Sequence, residues 1–175
     1  MPTPASPPCP PAPVWGGPVP PPPARHSWDG LMRLALDLAR QGAAAGEVPV
    51  GALVAHGDGR ILGRAHNACI ARNDPTAHAE VLALRRAGET LGNYRLNDCV
   101  LVVTLEPCLM CAGALAHARV RGVVYGAPDP RAGAVISCCE GLEMGFLNHR
   151  VWHMGGVLHG ECATLLREFF HGTRP

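Results

Sequence analysis

Two short stretches constrain this chain more than anything else in it: Thr76-Ala77-His78-Ala79-Glu80 and Thr104-Leu105-Glu106-Pro107-Cys108-Leu109-Met110-Cys111. Together they read H-x-E, a gap, then P-C-x-x-C. One imidazole and two potential thiolates suit Zn²⁺, so any fold has to bring His78, Cys108 and Cys111 together. Three protein ligands leave a fourth tetrahedral position open for water, the mark of a catalytic zinc. Glu80 lies two residues past His78. Helical residues two apart do not face each other, so Glu80 is not read as a fourth ligand. A helix that starts just before His78 would let both side chains overhang its first turn, because helical side chains tilt toward the N-terminus. Zinc would lower the pKa of the water there, and Glu80 would move its protons.

The second stretch agrees. Leu101-Val102-Val103 reads as a strand, and Pro107 suits the first turn of a helix that follows. Cys108 and Cys111, three apart, share one face of that helix start, where the helix N-terminus lowers thiol pKa. C-x-x-C alone is weak, because a thioredoxin-like redox pair has the same spacing. A closed structural zinc site would want a fourth ligand, and none has an obvious spacing here.

The combination H-x-E with P-C-x-x-C is the signature of the zinc nucleoside and nucleobase deaminases. Further blocks make the chain resemble one branch, the bacterial tRNA-specific adenosine deaminases. They are Glu47-Val48-Pro49-Val50-Gly51-Ala52, Asp74-Pro75 before the His motif, Asn93-Tyr94-Arg95-Leu96, residues 104–113, and Asn148-His149-Arg150-Val151. The resemblance covers about residues 27–170. It implies an α/β fold of the cytidine-deaminase type, a three-layer α/β/α sandwich around a mixed five-stranded sheet. It also implies hydrolytic conversion of adenosine to inosine at the wobble position of a tRNA anticodon, with an arginine tRNA as acceptor. One Zn²⁺ per subunit, an anticodon stem-loop as partner and a homodimer come with it. Residue by residue, Glu80 becomes the proton shuttle, and Asn67, Ala79 through its backbone N–H, Asp129, Asn148 and Arg150 become substrate contacts. Family members often carry a basic or small residue where Pro128 stands.

Composition sets wider bounds. The length allows one domain with a real core, and no run is apolar enough to span a bilayer. A formal charge of +1 does not announce a nucleic-acid partner. All 15 basic residues are Arg, however, and Arg suits bidentate phosphate contacts and base stacking. Of the eight Cys, the six outside the motif show no framework spacing, so reduced thiols in a cytoplasmic protein are expected. Residues 1–26 are Pro-rich and poor in apolar side chains; they are expected to form a disordered tail, with the deaminase domain over 27–175.

Along that domain, Ser27 is expected to cap a first helix, with Leu31, Leu34, Ala35 and Leu38 inward. Residues 50–55 and 61–65 flank Gly57-Asp58-Gly59 and read as a hairpin. Asp74 or Thr76 should cap the zinc helix, which runs to about Leu91 with Val81, Leu84 and Ala87 inward. Strands follow over 99–104 and 122–126, with a helix between them to about Ala118, and a last strand over 151–158. His117 reads as a surface or packing residue, and Cys138 and Cys139 as packing thiols. A closing helix carries Leu165, Leu166, Phe169 and Phe170. By pattern the two Phe are core residues; by resemblance one packs against splayed RNA bases. The strand–helix alternation suggests parallel pairing beside an antiparallel hairpin.

Three rivals remain open. A small-molecule deaminase of cytosine, guanine or a pterin-like base would use the same zinc site. A catalytically dead RNA-binding scaffold would be expected to lose the glutamate, yet Glu80 is present. A structural zinc module is disfavoured by the open coordination position.

Overall fold

The computed structural model describes residues 19–172. The elements in chain order are α1 (Trp28–Ala44), β1 (Gly51–His56), β2 (Ile61–His66), α2 (Cys69–Arg72), α3 (Ala79–Leu91), β3 (Cys99–Leu105), α4 (Leu109–Ala118), β4 (Gly122–Ala127), β5 (Trp152–Met154) and α5 (His159–Gly172). The five strands form one sheet in the order β2-β1-β3-β4-β5. β1 runs antiparallel to both β2 and β3, and β3, β4 and β5 are mutually parallel.

Strand alternation sorts the core into two layers. Ala52 and Val54 of β1 and Leu101 and Val103 of β3 pack with Leu82, Ala83, Ala112 and Leu115 of α3 and α4. Their neighbours Leu53, Ala55, Val100 and Val102 pack with Leu31, Met32, Leu36 and Cys162 of α1 and α5. The result is the three-layer α/β/α sandwich with a mixed five-stranded sheet. Two glycines let helices lie directly on it: a Cβ at Gly51 would strike backbone atoms of Ala35 and Ala39 in α1, and one at Gly63 would strike Ala83 and Ala87 in α3.

Several expectations shift. In α1 the buried stripe is Leu31, Met32, Ala35, Leu36 and Ala39, and Leu34 faces solvent. In α3, Leu82 and Ala83 are buried and Val81 is only half-buried. Neither Asp74 nor Thr76 caps α3. The N-cap is His78, and Asp74 closes a turn ahead of it by accepting the Thr76 N–H at 2.8 Å and the Thr76 hydroxyl at 2.7 Å. β5 stops at Met154, before Gly155 and the left-handed Gly156. Cys139 packs on the core, whereas Cys138 is exposed. Phe170 is exposed, not core.

Most of the Pro-rich segment lies outside the described residues. Its last part joins the domain: Pro23 is buried, the Ala24 N–H donates to the Gly57 carbonyl at 3.1 Å, and His26 Nε2 lies 2.9 Å from the Gly59 carbonyl. No described helix is long and apolar enough to cross a membrane.

Candidate active site

Two helix starts converge at the carboxyl end of β3. His78 is the N-cap of α3 and Cys108 the N-cap of α4; both have extended backbones and no side-chain cap of their own. Cys111 sits in the first turn of α4 and is fully buried. His78 Nδ1 lies 3.7 Å from Cys108 Sγ and 3.5 Å from Cys111 Sγ. Zn–S and Zn–N bonds at tetrahedral angles predict an S···N edge of about 3.6 Å. The donors are therefore spaced as a zinc site requires, and among the described residues they form a cluster that could hold a metal ion. The chemistry of the thiols agrees. A hydrogen bond from Cys111 and the neighbouring His78 bring Cys108 down to about 4, against the effect of burial. Cys111 is pushed up by the same contact with Cys108 and by burial. One proton is thus held between two sulfurs, and a bound cation would displace it. His78 is raised by its hydrogen bond with Cys108.

Glu80 stands at the second position of α3, 4% exposed, and its Oε2 has no hydrogen-bond partner. Burial pushes its carboxyl up. A buried acid with a free oxygen beside three metal donors is what a proton carrier needs. Asn67, at the end of β2, is also buried, and its Oδ1 accepts the Ala79 N–H at 2.9 Å. That contact takes up the first free amide of α3. The Ala79 N–H, expected to face a base, is therefore held by Asn67, and it is the Asn67 amide group that is left to donate.

The other expected contacts divide between the two ends of the sheet. Asp129 follows β4 on the metal side, and its Oδ1 accepts the N–H groups of Arg131 (2.9 Å) and Ala132 (3.3 Å). With Val48, Leu105, Arg131, Arg167 and Phe170 it lines a groove of about 750 Å³. Asn148 and Arg150 lie at the far end. They precede β5, whose Trp152 pairs with Gly122 at the start of β4. Asn148 accepts from Arg119, the C-cap of α4, at 3.5 Å, and Arg150 pairs with Glu143 at 2.7 Å. Ten residues of α4 put about 15 Å between the two ends. Asn93 is also at the far end, past the end of α3. Within one subunit these three do not join the metal group.

Two buried carboxylates were not singled out by sequence. Glu47 accepts from the first amides of α2, Ile70 at 3.2 Å and Ala71 at 2.8 Å. Glu106, two residues before Cys108, accepts from the loop after β4. The one available signal was an acidic residue set among apolar ones.

Residues 26–174 match the MafB19-like deaminase family. The tRNA-specific adenosine deaminase of Haemophilus influenzae is 44% identical over 82% of this chain and 83% of its own length. The chain belongs to the tRNA-specific adenosine deaminase family. As a member of that family it is a deaminase and therefore a hydrolase. A solved structure from work on A-to-I editing by tRNA:A34 deaminases at the wobble position of transfer RNA is 43% identical, with a TM-score of 0.75 over 78% of this chain and 98% of that one. A guanine deaminase from Nitrosomonas europaea shares the fold at 28% identity and a TM-score of 0.69, over 81% of this chain and 83% of its own.

Proposed function

We propose that this deaminase converts adenosine to inosine at the wobble position of a tRNA anticodon, in the cytoplasm, with an arginine tRNA as its acceptor. The observation that carries the reading is the His78–Cys108–Cys111 cluster with the unpartnered Glu80 oxygen beside it. Adenosine and water give inosine and ammonia. Zn²⁺, one per subunit, would be held by His78 Nδ1, Cys108 Sγ and Cys111 Sγ, and when bound it supplies a Lewis acid that makes a water acidic. Glu80 Oε2 takes one proton from water and delivers it to N1 of the base as the new C–O bond forms at C6. It then carries the remaining proton from the C6 hydroxyl to the amine, which leaves as ammonia as the C6–N bond breaks and C6=O forms. Asn67 fixes the start of α3 through the Ala79 N–H and offers its amide to an acceptor on the base. The groove formed by Val48, Asp129, Arg131, Arg167 and the half-exposed Phe170 has the Arg and aromatic surface that unstacked RNA bases take. Anticodon-loop bases are already partly unpaired, so extruding one is inexpensive.

A homodimer fits this reading. Asn93, Asn148 and Arg150 stand at the end of the subunit away from the metal cluster, so a second copy is the way they would reach the same RNA. Leu109 and Met110 on α4, and Tyr94 after α3, are exposed apolar residues suited to such a contact. Light scattering at micromolar concentration should give twice the subunit mass.

The deciding experiment compares inosine formation on an anticodon stem-loop with turnover of free adenosine, guanine and cytosine. The stem-loop should be processed far faster, because remote contacts position the base at the reacting carbon. Equal turnover of free guanine would replace the tRNA reading with the small-molecule one.

A further inference from the structure

The loop between β4 and β5 begins with residues 128–137, which form neither helix nor strand, yet they make the Asp129–Arg131 wall of the groove. This segment is folded around a single side chain. Glu106 is 3% exposed. Its Oε1 accepts the N–H groups of Val135 (3.2 Å), Ile136 (2.8 Å) and Ser137 (2.9 Å). Its Oε2 accepts the Asp129 N–H at 3.0 Å and the Ser137 hydroxyl. Five donors meet one carboxylate, and among the described residues no cation pairs with it. The fit is close: a Cβ on Gly133 would lie 2.5 Å from the carboxyl carbon. The same residue is tied to the metal side. Its own N–H donates to the Ala127 carbonyl at 2.8 Å, and the next carbonyl, of Pro107, accepts the Ala134 N–H at 2.8 Å. Cys108 then bridges to Gly133.

We infer that Glu106 is a positioning residue for substrate: it sets the Asp129–Arg131 wall at a fixed place relative to the metal ligand Cys108, so that the nucleotide beside the reacting base is gripped in register with the chemistry. This rests on the tRNA reading above. Five donors converging on one carboxylate suit an anion that stays in place and holds the loop. Glutamine has the same shape but only one acceptor oxygen. Its NH₂ group must point at amide donors on one side or the other.

The test uses the full chain with Glu106→Gln and Ser137→Ala. Zinc content should stay at the wild-type value in both. Amide hydrogen exchange over residues 129–137 should speed up in Glu106→Gln. KM for the anticodon stem-loop should rise at least about tenfold while kcat changes by less than about threefold, the pattern of lost substrate binding with the chemistry intact. Ser137→Ala, an exposed residue that removes one of the five donors, should raise KM by about twofold. Faster exchange with an unchanged KM would reduce Glu106 to a structural role and overturn the inference, as would loss of zinc alongside the KM effect. If Glu106→Gln fails to fold, Ser137→Ala decides: an unchanged KM overturns the inference. Failure of the wild-type protein on the stem-loop removes the tRNA reading, and this inference with it. A normal wild type with a normal Glu106→Gln removes the inference alone.

Discussion

Glu80 and Glu106 are equally buried, at 4% and 3% exposed, and stand two residues from the candidate metal ligands His78 and Cys108 on successive helix starts, yet they are opposite kinds of acid. Glu106 is saturated by amides and a hydroxyl and held below its ordinary range. Glu80 keeps an oxygen with no partner, and burial lifts it above that range. The first is a fixed anion around which a loop folds; the second is free to take and give a proton. Burial does not decide the role of an acid, because the count of donors facing it does.

The largest effect comes from removing what both acids flank. Cys108→Ala with Cys111→Ala should abolish stoichiometric zinc and all measurable turnover, read by metal analysis and inosine formation. Zinc retained at one per chain would reject this ligand set.

The next break separates the two acids. Glu80→Gln should keep zinc and lose about 10²–10⁴-fold in turnover, the usual weight of general acid–base catalysis. The same change should stabilise the metal-free protein near pH 7. A raised folded pKa means that ionising Glu80 opposes folding above the unfolded value of about 4.3, and the penalty vanishes below it. A rise of about 2–4 °C in Tm corresponds to roughly 1 kcal/mol in a domain of this size. Near-normal turnover would end the proton-carrier role, and a lowered Tm would contradict the buried, unpartnered carboxyl.

Glu106 should behave in the opposite way in acid. Its folded pKa lies below its unfolded one, so its contribution is complete above about pH 4.3 and is lost as pH falls through the folded value. Melting wild type and Glu106→Gln from pH 7 downward should show the variant less stable at neutral pH, with the gap closing below about pH 4. A gap independent of pH would mean that the loop does not depend on the charge.

The contrast also marks what was legible in the sequence. That His78, Cys108 and Cys111 would meet was readable from their spacing within two motifs. The alternation of strands and helices pointed to parallel strands beside an antiparallel hairpin, while the sandwich itself came from the family resemblance. Glu106 was not readable in the same way. Its partners are backbone amides 23–31 residues away, and an amide leaves no mark on a side-chain pattern. The inward face of α1 was misjudged because Met32 and Leu36 are as apolar as Leu34 and Leu38, so the pattern allows more than one stripe. Asn148 and Arg150 were grouped with Asp129 as substrate contacts on the strength of the family resemblance. Which end of the sheet a loop occupies depends on β5 running parallel to β4 from its start, and that register is a tertiary fact.

That placement gives the smallest expected effect. Arg150 is 58% exposed and pairs with Glu143, which is 21% exposed. An exposed pair of this kind contributes about 0–1 kcal/mol, so Arg150→Ala should leave Tm and zinc nearly unchanged. Its position about 15 Å from the metal cluster along α4 leaves it no part in the chemistry of its own subunit. If a second copy presents it to the RNA, losing one phosphate contact should raise KM for the stem-loop by a few-fold, leave kcat alone and reduce the salt slope of binding by about one. Mixing then sharpens the result. A dimer formed from Glu80→Gln and Arg150→Ala chains contains one site with an intact Glu80, and that Glu80 lies in the subunit carrying Arg150→Ala. The arginine serving that site comes from the other copy, so the mixed dimer should bind RNA there with wild-type KM. A KM that follows the Arg150→Ala subunit instead would place the contact within one chain, against the distance the fold imposes.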